Sequence, residues 1–139
     1  MKPIILLVDD DEEDRLTFQR VIEGENINVY LNCAANAREA EACLRTTAGG
    51  GRDNRTGLVV LDLNIPGADG FQILRSMKSD PNTRSIPVVV FTTSSSRSDM
   101  RQCYEIGANS FIVKPVDLVD FKRVVRGLVD YWFGLVETG

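Results

Sequence analysis

Ile4-Ile5-Leu6-Leu7-Val8-Asp9-Asp10-Asp11 is apolar at every position up to Val8 and acidic at every position after it. So short an unbroken apolar run suits a strand buried on both faces of a parallel sheet, with its acidic groups at the C-terminal end. The pattern returns twice. Residues 58–61 (LVVL) end in Asp62, and residues 88–91 (VVVF) end in Thr92 and Thr93. Residues 27–31 and 110–113 read as two further strands, the last leading into Lys114.

Between these runs the apolar spacing turns helical. Phe18 and Ile22 stand four apart behind Asp11-Glu12-Glu13-Asp14, a charge pattern that favours a helix N-terminus. Residues 37–45 form a second helix with Asn36 as cap. Phe71, Leu74 and Met77 mark a third, closed by Asp80-Pro81, and residues 97–106 a fourth, stopped by Gly107. A fifth starts at Leu118, capped by Asp117. Strand and helix alternate throughout, which predicts a doubly wound α/β domain with a parallel sheet covered by helices on both faces. Residues 47–57 hold three consecutive glycines and read as a flexible loop. They lack the Lys-Ser or Lys-Thr that a phosphate-binding loop requires.

The 139 residues suffice for one domain with a core, so residues 1–139 are read as a single domain. Sixteen basic against twenty acidic side chains give a net charge of -4, which offers nucleic acid no basic surface. No apolar stretch approaches the roughly 18 residues of a membrane span, and residues 1–8 are too short for a signal peptide. The expectation is a soluble, cytoplasmic protein. The sequence contains no His, which removes Ser-His and Cys-His pairs, His-ligated metals and self-phosphorylation on His. Cys33, Cys43 and Cys103 are odd in number and lack CxxC spacing, so reduced thiols are expected rather than a disulfide or zinc site.

Chemistry is therefore left to carboxylates, hydroxyls, lysine and an oxygen-binding cation. In an open parallel sheet the C-terminal strand ends share one edge, and ligands bind where the strand order reverses. Asp9, Asp10, Asp62, Thr92 and Lys114 would gather there. Each alone reads as a solvated loop residue; together, after separate strands, they read as a site. Clustered carboxylates repel unless neutralised, and Mg2+ suits them because it takes oxygen ligands and keeps several waters. Asp10 and Asp62 would bind it directly, Asp9 through a water, and the carbonyl of Asn64 would complete the shell.

LLVDDD, VVLDLNIPGADG, VVVFTT and NSFIVKP, in this order, resemble the motifs of response-regulator receiver domains over roughly residues 3 to 132. The resemblance implies a flavodoxin-like fold with strand order 2-1-3-4-5. It implies that Asp62 accepts a phosphoryl group from a phosphohistidine on a sensor histidine kinase, and that Asp9, Asp10, Asp62 and Asn64 hold Mg2+. Lys114 would pair with Asp62 and later with a phosphoryl oxygen, its bond to Pro115 being cis. Thr92 and Phe111 match the switch hydroxyl and aromatic, with Thr93 beside the phosphoryl site. Phe111 stands where Tyr is commoner. The DLNIPGADG loop, residues 47–57 and the aromatic tail from Tyr131 resemble stand-alone regulators paired with bacterial phytochromes.

Such a protein is a phosphoacceptor with self-catalysed transfer and slow autodephosphorylation rather than an enzyme acting on other substrates. Two rival readings are a Mg2+-dependent small-molecule phosphatase and a binding module indifferent to phosphorylation. The first lacks a second Asp at position 64, and the second predicts loss of residues that are all present. The chain extends little past the fifth helix, so output is expected through protein contact or onward phosphotransfer.

A homodimer is also expected. Leu118, Phe121, Val125, Leu128 and Trp132 form one apolar stripe on the fifth helix, enough to face the sheet. Val124, Tyr131 and Leu135 form a second, and Val129, Phe133 and Val136 add to it. The tail 131–139 would extend the helix, with Phe121, Val124, Leu128, Tyr131 and Trp132 at a face made by helix four, strand five and helix five. The competing expectation is a tail folded back over its own domain.

Overall fold

Five parallel strands, β1 (Ile4–Val8), β2 (Tyr30–Ala34), β3 (Thr56–Leu61), β4 (Val88–Thr92) and β5 (Ser110–Val113), make one sheet in the order β2-β1-β3-β4-β5. This computed structural model describes residues 2–49, 56–65 and 70–135. Helices α1 (Glu12–Gly24), α2 (Ala37–Gly49), α3 (Gly70–Ser79), α4 (Arg97–Ile106) and α5 (Leu118–Asp130) alternate with the strands. A π-helical turn, Tyr131–Leu135, continues α5. Among the described residues no helix is long and apolar enough to cross a membrane.

Strand side chains alternate between two cores, which explains runs that are apolar at every position. Leu6, Val8, Val59, Leu61, Val88 and Val90 pack with Leu44, Leu74, Met77 and Cys103, the side of α2, α3 and α4. Ile5, Leu7, Leu58, Val60, Val89 and Phe91 pack with Phe18 and Ile22 of α1 and with Phe121, Val125 and Leu128 of α5. The helix starts carry the expected caps. Asp11 accepts from the backbone N–H groups of Glu13 and Asp14, Ser96 from Asp99, and Asp117 from Val119 and Asp120. Gly107 ends α4 at φ 130°, a backbone conformation that glycine adopts freely.

Three expectations are corrected. The second strand occupies Tyr30–Ala34, not residues 27–31. Ile27 instead closes α1, donating its N–H to the Ile22 carbonyl, and Val29 donates to Ile27. The breaker loop is shorter than residues 47–57: α2 runs to Gly49 and β3 starts at Thr56 to pair with Ile4, while residues 50–55 lie outside the described ones. Gly57 belongs to that strand, and a side chain there would press on the Phe133 ring at 3.2 Å.

The third correction concerns the dimer face. Phe121, Leu128 and Trp132 are buried within the chain, because α5 and its π-turn lay them on the sheet and α1. Val129, also expected to add outer apolar surface, is buried there too, and Phe133 packs against the same core. Leu118, expected on the buried stripe, is exposed. Of the five residues expected at a dimer interface, Val124 and Tyr131 stay at the surface, half-buried and exposed respectively. The Leu135 side chain and Val136 lie outside the described residues.

Candidate functional site

The strand order reverses between β1 and β3, and the acidic residues sit where those strands end. Strand pairing continues just past the ends and pins them. Asp9 donates its N–H to the Ala34 carbonyl at 2.9 Å, Asp62 to Val8 at 2.9 Å, and Lys114 to Thr92 at 2.7 Å. The carboxylate oxygens of Asp9, Asp10 and Asp62 come within 4.8 Å of one another, Asp9 and Asp62 buried and Asp10 open to solvent. Three carboxylates converging at that spacing fit a hard divalent cation that retains waters on its open side.

Lys114, itself buried, bridges the cluster. Its Nζ donates to Asp9 Oδ2 at 2.7 Å, to Asp14 Oδ2 at 2.8 Å and to Asp62 Oδ2 at 2.9 Å. The remaining Asp9 oxygen accepts from the Asp11 N–H, and the remaining Asp62 oxygen from the Asn64 N–H at 3.2 Å. Arg15 Nη1 donates to the Asp9 carbonyl at 2.7 Å and ties α1 to the same corner.

Burial works against the charge on Lys114, but its hydrogen bonds to Asp14, Asp9 and Asp62 outweigh it and hold the lysine above its ordinary pKa. Burial holds the Asp9 carboxyl above the usual carboxylate value, only partly offset by Lys114 and the Asp11 N–H. The two directions are compatible: one ammonium collects three carboxylates, while Asp9 shares that ammonium with two competitors.

Thr92 is fully buried at the end of β4, its Oγ1 accepting a long 3.4 Å bond from the Ser94 N–H. Ser94 Oγ donates to Asp99 Oδ2 at 2.7 Å, which fastens the loop to the first turn of α4. Thr93 is exposed. Phe111 is half-buried and packs against the core on the α4 side. Because Thr92 pairs with Val113 and Phe111 with Val90, alternation turns Thr92 and Phe111 toward the same face of the sheet.

The Lys114–Pro115 bond is not cis: the described residues contain no cis peptide bond. The trans form is the lower-energy one for X-Pro, and β5 already delivers Lys114 opposite Thr92, within reach of all three carboxylates.

Four participants escaped the sequence reading. Asp14 and Arg15 sit in the first turns of α1, where the acidic run signalled only a helix start. Tyr104 on α4 accepts the Phe111 N–H at 3.1 Å. Gly70 opens α3 against the backbone leaving β3; a Cβ there would lie 2.6 Å from the Asp62 carbonyl oxygen and 2.6 Å from Leu63 Cα. The glycine in GADG, three residues before the Ile73-Leu74 core pair, was the available signal for that close approach.

Fold and site together define a class: a doubly wound α/β domain with a lysine-bridged acidic pocket at its switch point. The response regulator receiver domain family matches residues 5–126, and the chain belongs to that family, whose members signal by phosphorylation in two-component systems. It is 37% identical over 131 residues to the probable methanogenesis regulatory protein FilR2 of Methanothrix harundinacea, covering 94% of this chain and 84% of that protein. It is 33% identical over 133 residues to the response regulator Rcp1 of Synechocystis sp., covering 96% and 90%. The Mn2+-bound form of Rcp1 superposes with a TM-score of 0.85 at 34% identity, covering 97% of both chains. The phosphorylated cyanobacterial phytochrome response regulator RcpA superposes with a TM-score of 0.88 at 31% identity, covering 99% of this chain and 98% of that one.

Proposed function

We propose that Asp62 accepts a phosphoryl group from the phosphohistidine of a sensor histidine kinase, and that the whole chain acts as one receiver domain. The observation that carries this reading is the position of Asp62, at the end of β3 with Lys114 on one oxygen and the acidic pair alongside. An Asp62 carboxylate oxygen attacks phosphorus in line, a P–O bond forms, the P–N bond breaks, and the imidazole nitrogen keeps the electron pair. Such transfer needs alignment and charge neutralisation more than covalent help, so the chain catalyses its own phosphorylation. Bound Mg2+ would neutralise phosphoryl oxygens. Asp10 and Asp62 would hold it directly, Asp9 through a water, and Asn64 would lend its main-chain oxygen. Lys114 supplies the positive charge from the other side.

After transfer, the phosphoryl oxygens offer Thr92 Oγ1 a stronger acceptor than its present role on the Ser94 N–H requires. Thr93, next along the chain and exposed, would stand beside the phosphoryl group. Inward motion of Thr92 loosens the Ser94–Asp99 link to α4 and opens room for Phe111 on the same face. The signal thereby reaches the surface of α4, β5 and α5, where Tyr104, Val113, Leu118, Val119 and Tyr131 stand exposed. A groove of about 350 Å³ lined by Ile112, Val124, Gly127 and Tyr131 among others runs along this surface. Homodimerisation there would use Val124 and Tyr131.

The likeness to Rcp1 and to the phytochrome regulator RcpA supports a bacterial phytochrome as the kinase and the cytoplasm as the place of action. Phosphotransfer from a panel of autophosphorylated sensor kinases tests the reading. Label should move to this chain within minutes from one kinase, a phytochrome among the candidates, and stay put in EDTA. Transfer at equal rate without a divalent cation contradicts it.

A further inference from the structure

We propose that Asp14 is a positioning residue for this site: it holds Lys114 in the resting protein and yields it to the incoming phosphoryl group. The inference rests on the phosphoacceptor reading above and adds a competitor to it. A lysine ammonium has three N–H donors, and all three are spent on Asp9, Asp14 and Asp62 at 2.7–2.9 Å. One phosphoryl oxygen can take over the donor that Asp62 now holds, but a second gains a bond from Lys114 only if Asp9 or Asp14 gives way. Asp9 cannot move: its N–H, its carbonyl and its other carboxylate oxygen are tied to Ala34, Arg15 and Asp11. Asp62 carries the group itself. Asp14 differs from both. It sits in the first turn of α1, its side chain is 27% exposed, and its carboxylate bonds Lys114. Water can take over that carboxylate at little cost, whereas the two buried carboxylates would be stranded.

Asp14 therefore sets how readily the site is occupied. Removing it leaves one Lys114 donor free for the phosphoryl oxygen, without disturbing the acidic residues at the strand ends. The test is titration of the folded protein with beryllofluoride, a phosphoryl mimic, at saturating Mg2+, followed by 19F NMR. Asp14→Ala should reach half-occupancy at a concentration roughly fivefold below wild type, the scale of a partly exposed ion pair. Asp14→Asn should fall between them and Asp14→Glu return toward wild type. Glu13→Gln, which removes an exposed charge from the same turn, should match wild type and so exclude a general charge effect. The Lys114 15Nζ resonance of the unliganded protein should shift in Asp14→Ala and Asp14→Asn but not in Glu13→Gln. Superimposable titrations of wild type and Asp14→Ala overturn the positioning role while leaving the phosphoacceptor reading intact. A wild type that takes up no beryllofluoride at all overturns that reading first.

Discussion

Lys114→Ala should unbalance the pocket, and the structure allows the size of the effect to be worked out. The substitution removes the ammonium bonded to the Asp9, Asp14 and Asp62 carboxylates and leaves oxygens of Asp9, Asp10 and Asp62 within 4.8 Å of each other. At an effective dielectric of about 20, a like-charge pair at that separation costs about 3 kcal/mol. Breaking a buried ion pair by deleting one partner costs a comparable 3–5 kcal/mol, the lower end being apt here because Asp14 is partly solvated. For a domain of this size, about 3 kcal/mol lowers Tm by roughly 10 °C. Mg2+ replaces the missing positive charge, and ligand at about a hundred times its Kd returns about 2.7 kcal/mol. The single tryptophan, Trp132, is packed where α5 meets the core, so its fluorescence reports unfolding. Melts in EDTA should show the large loss, and melts in Mg2+ should show a bigger gain for Lys114→Ala than for wild type. A Tm loss of less than about 3 °C in EDTA, or equal gains with Mg2+, refutes the reasoning.

Other outcomes follow from the same contacts. Asp9 has a raised pKa in the folded state, so the fold holds its proton more tightly than the unfolded chain and loses stability as pH rises past the ordinary value of 3.8. In EDTA, the stability of Asp9→Asn relative to wild type should therefore increase between pH 4 and pH 7, as urea titrations will show. Gly70→Ala forces a methyl group into the backbone beside Asp62, and should cost about 1–3 kcal/mol and slow phosphorylation by acetyl phosphate. Cys103 is fully buried with its thiol pushed up to about 11 by burial, so at pH 8 Ellman's reagent should modify exposed Cys33 and reach Cys103 only after denaturation. Sedimentation of wild type against Val124→Glu, Tyr131→Glu should show a dimer that the variant loses; a wild type monomeric at high micromolar concentration with a phosphoryl mimic bound removes the dimer.

How much of this was legible depended on where each residue lies. The central strands β1, β3 and β4 are covered on both faces, so their sequences are apolar throughout and read directly. The edge strand β2 leaves Tyr30, Asn32 and Cys33 exposed and so carries no such pattern, which let the apolar Ile27 and Val29 draw the strand three residues early. The residues at the strand ends were legible because parallel pairing brings those ends together. Asp14 was hidden because its contact with Lys114 spans one hundred residues, and an acidic helix start explains an Asp without any such contact. On α5, spacing placed Phe121, Val125, Leu128 and Trp132 on one core-facing stripe, as they are, but misplaced Leu118, which is exposed, and Val129, which is buried. The π-turn carries Trp132 inward, so a residue expected on the sheet-facing stripe and also at the dimer face serves the core alone.

The account turns on Asp62, and intact-mass spectrometry of wild type and Asp62→Asn after incubation with acetyl phosphate and Mg2+ tests it most directly. Wild type should gain one phosphoryl group, lose it on treatment with hydroxylamine as an acyl phosphate does, and gain none in EDTA. Asp62→Asn should stay at its starting mass throughout. Equal phosphorylation of the two proteins, or a hydroxylamine-stable adduct on wild type, would contradict the assignment of this pocket as a phosphoryl-accepting site.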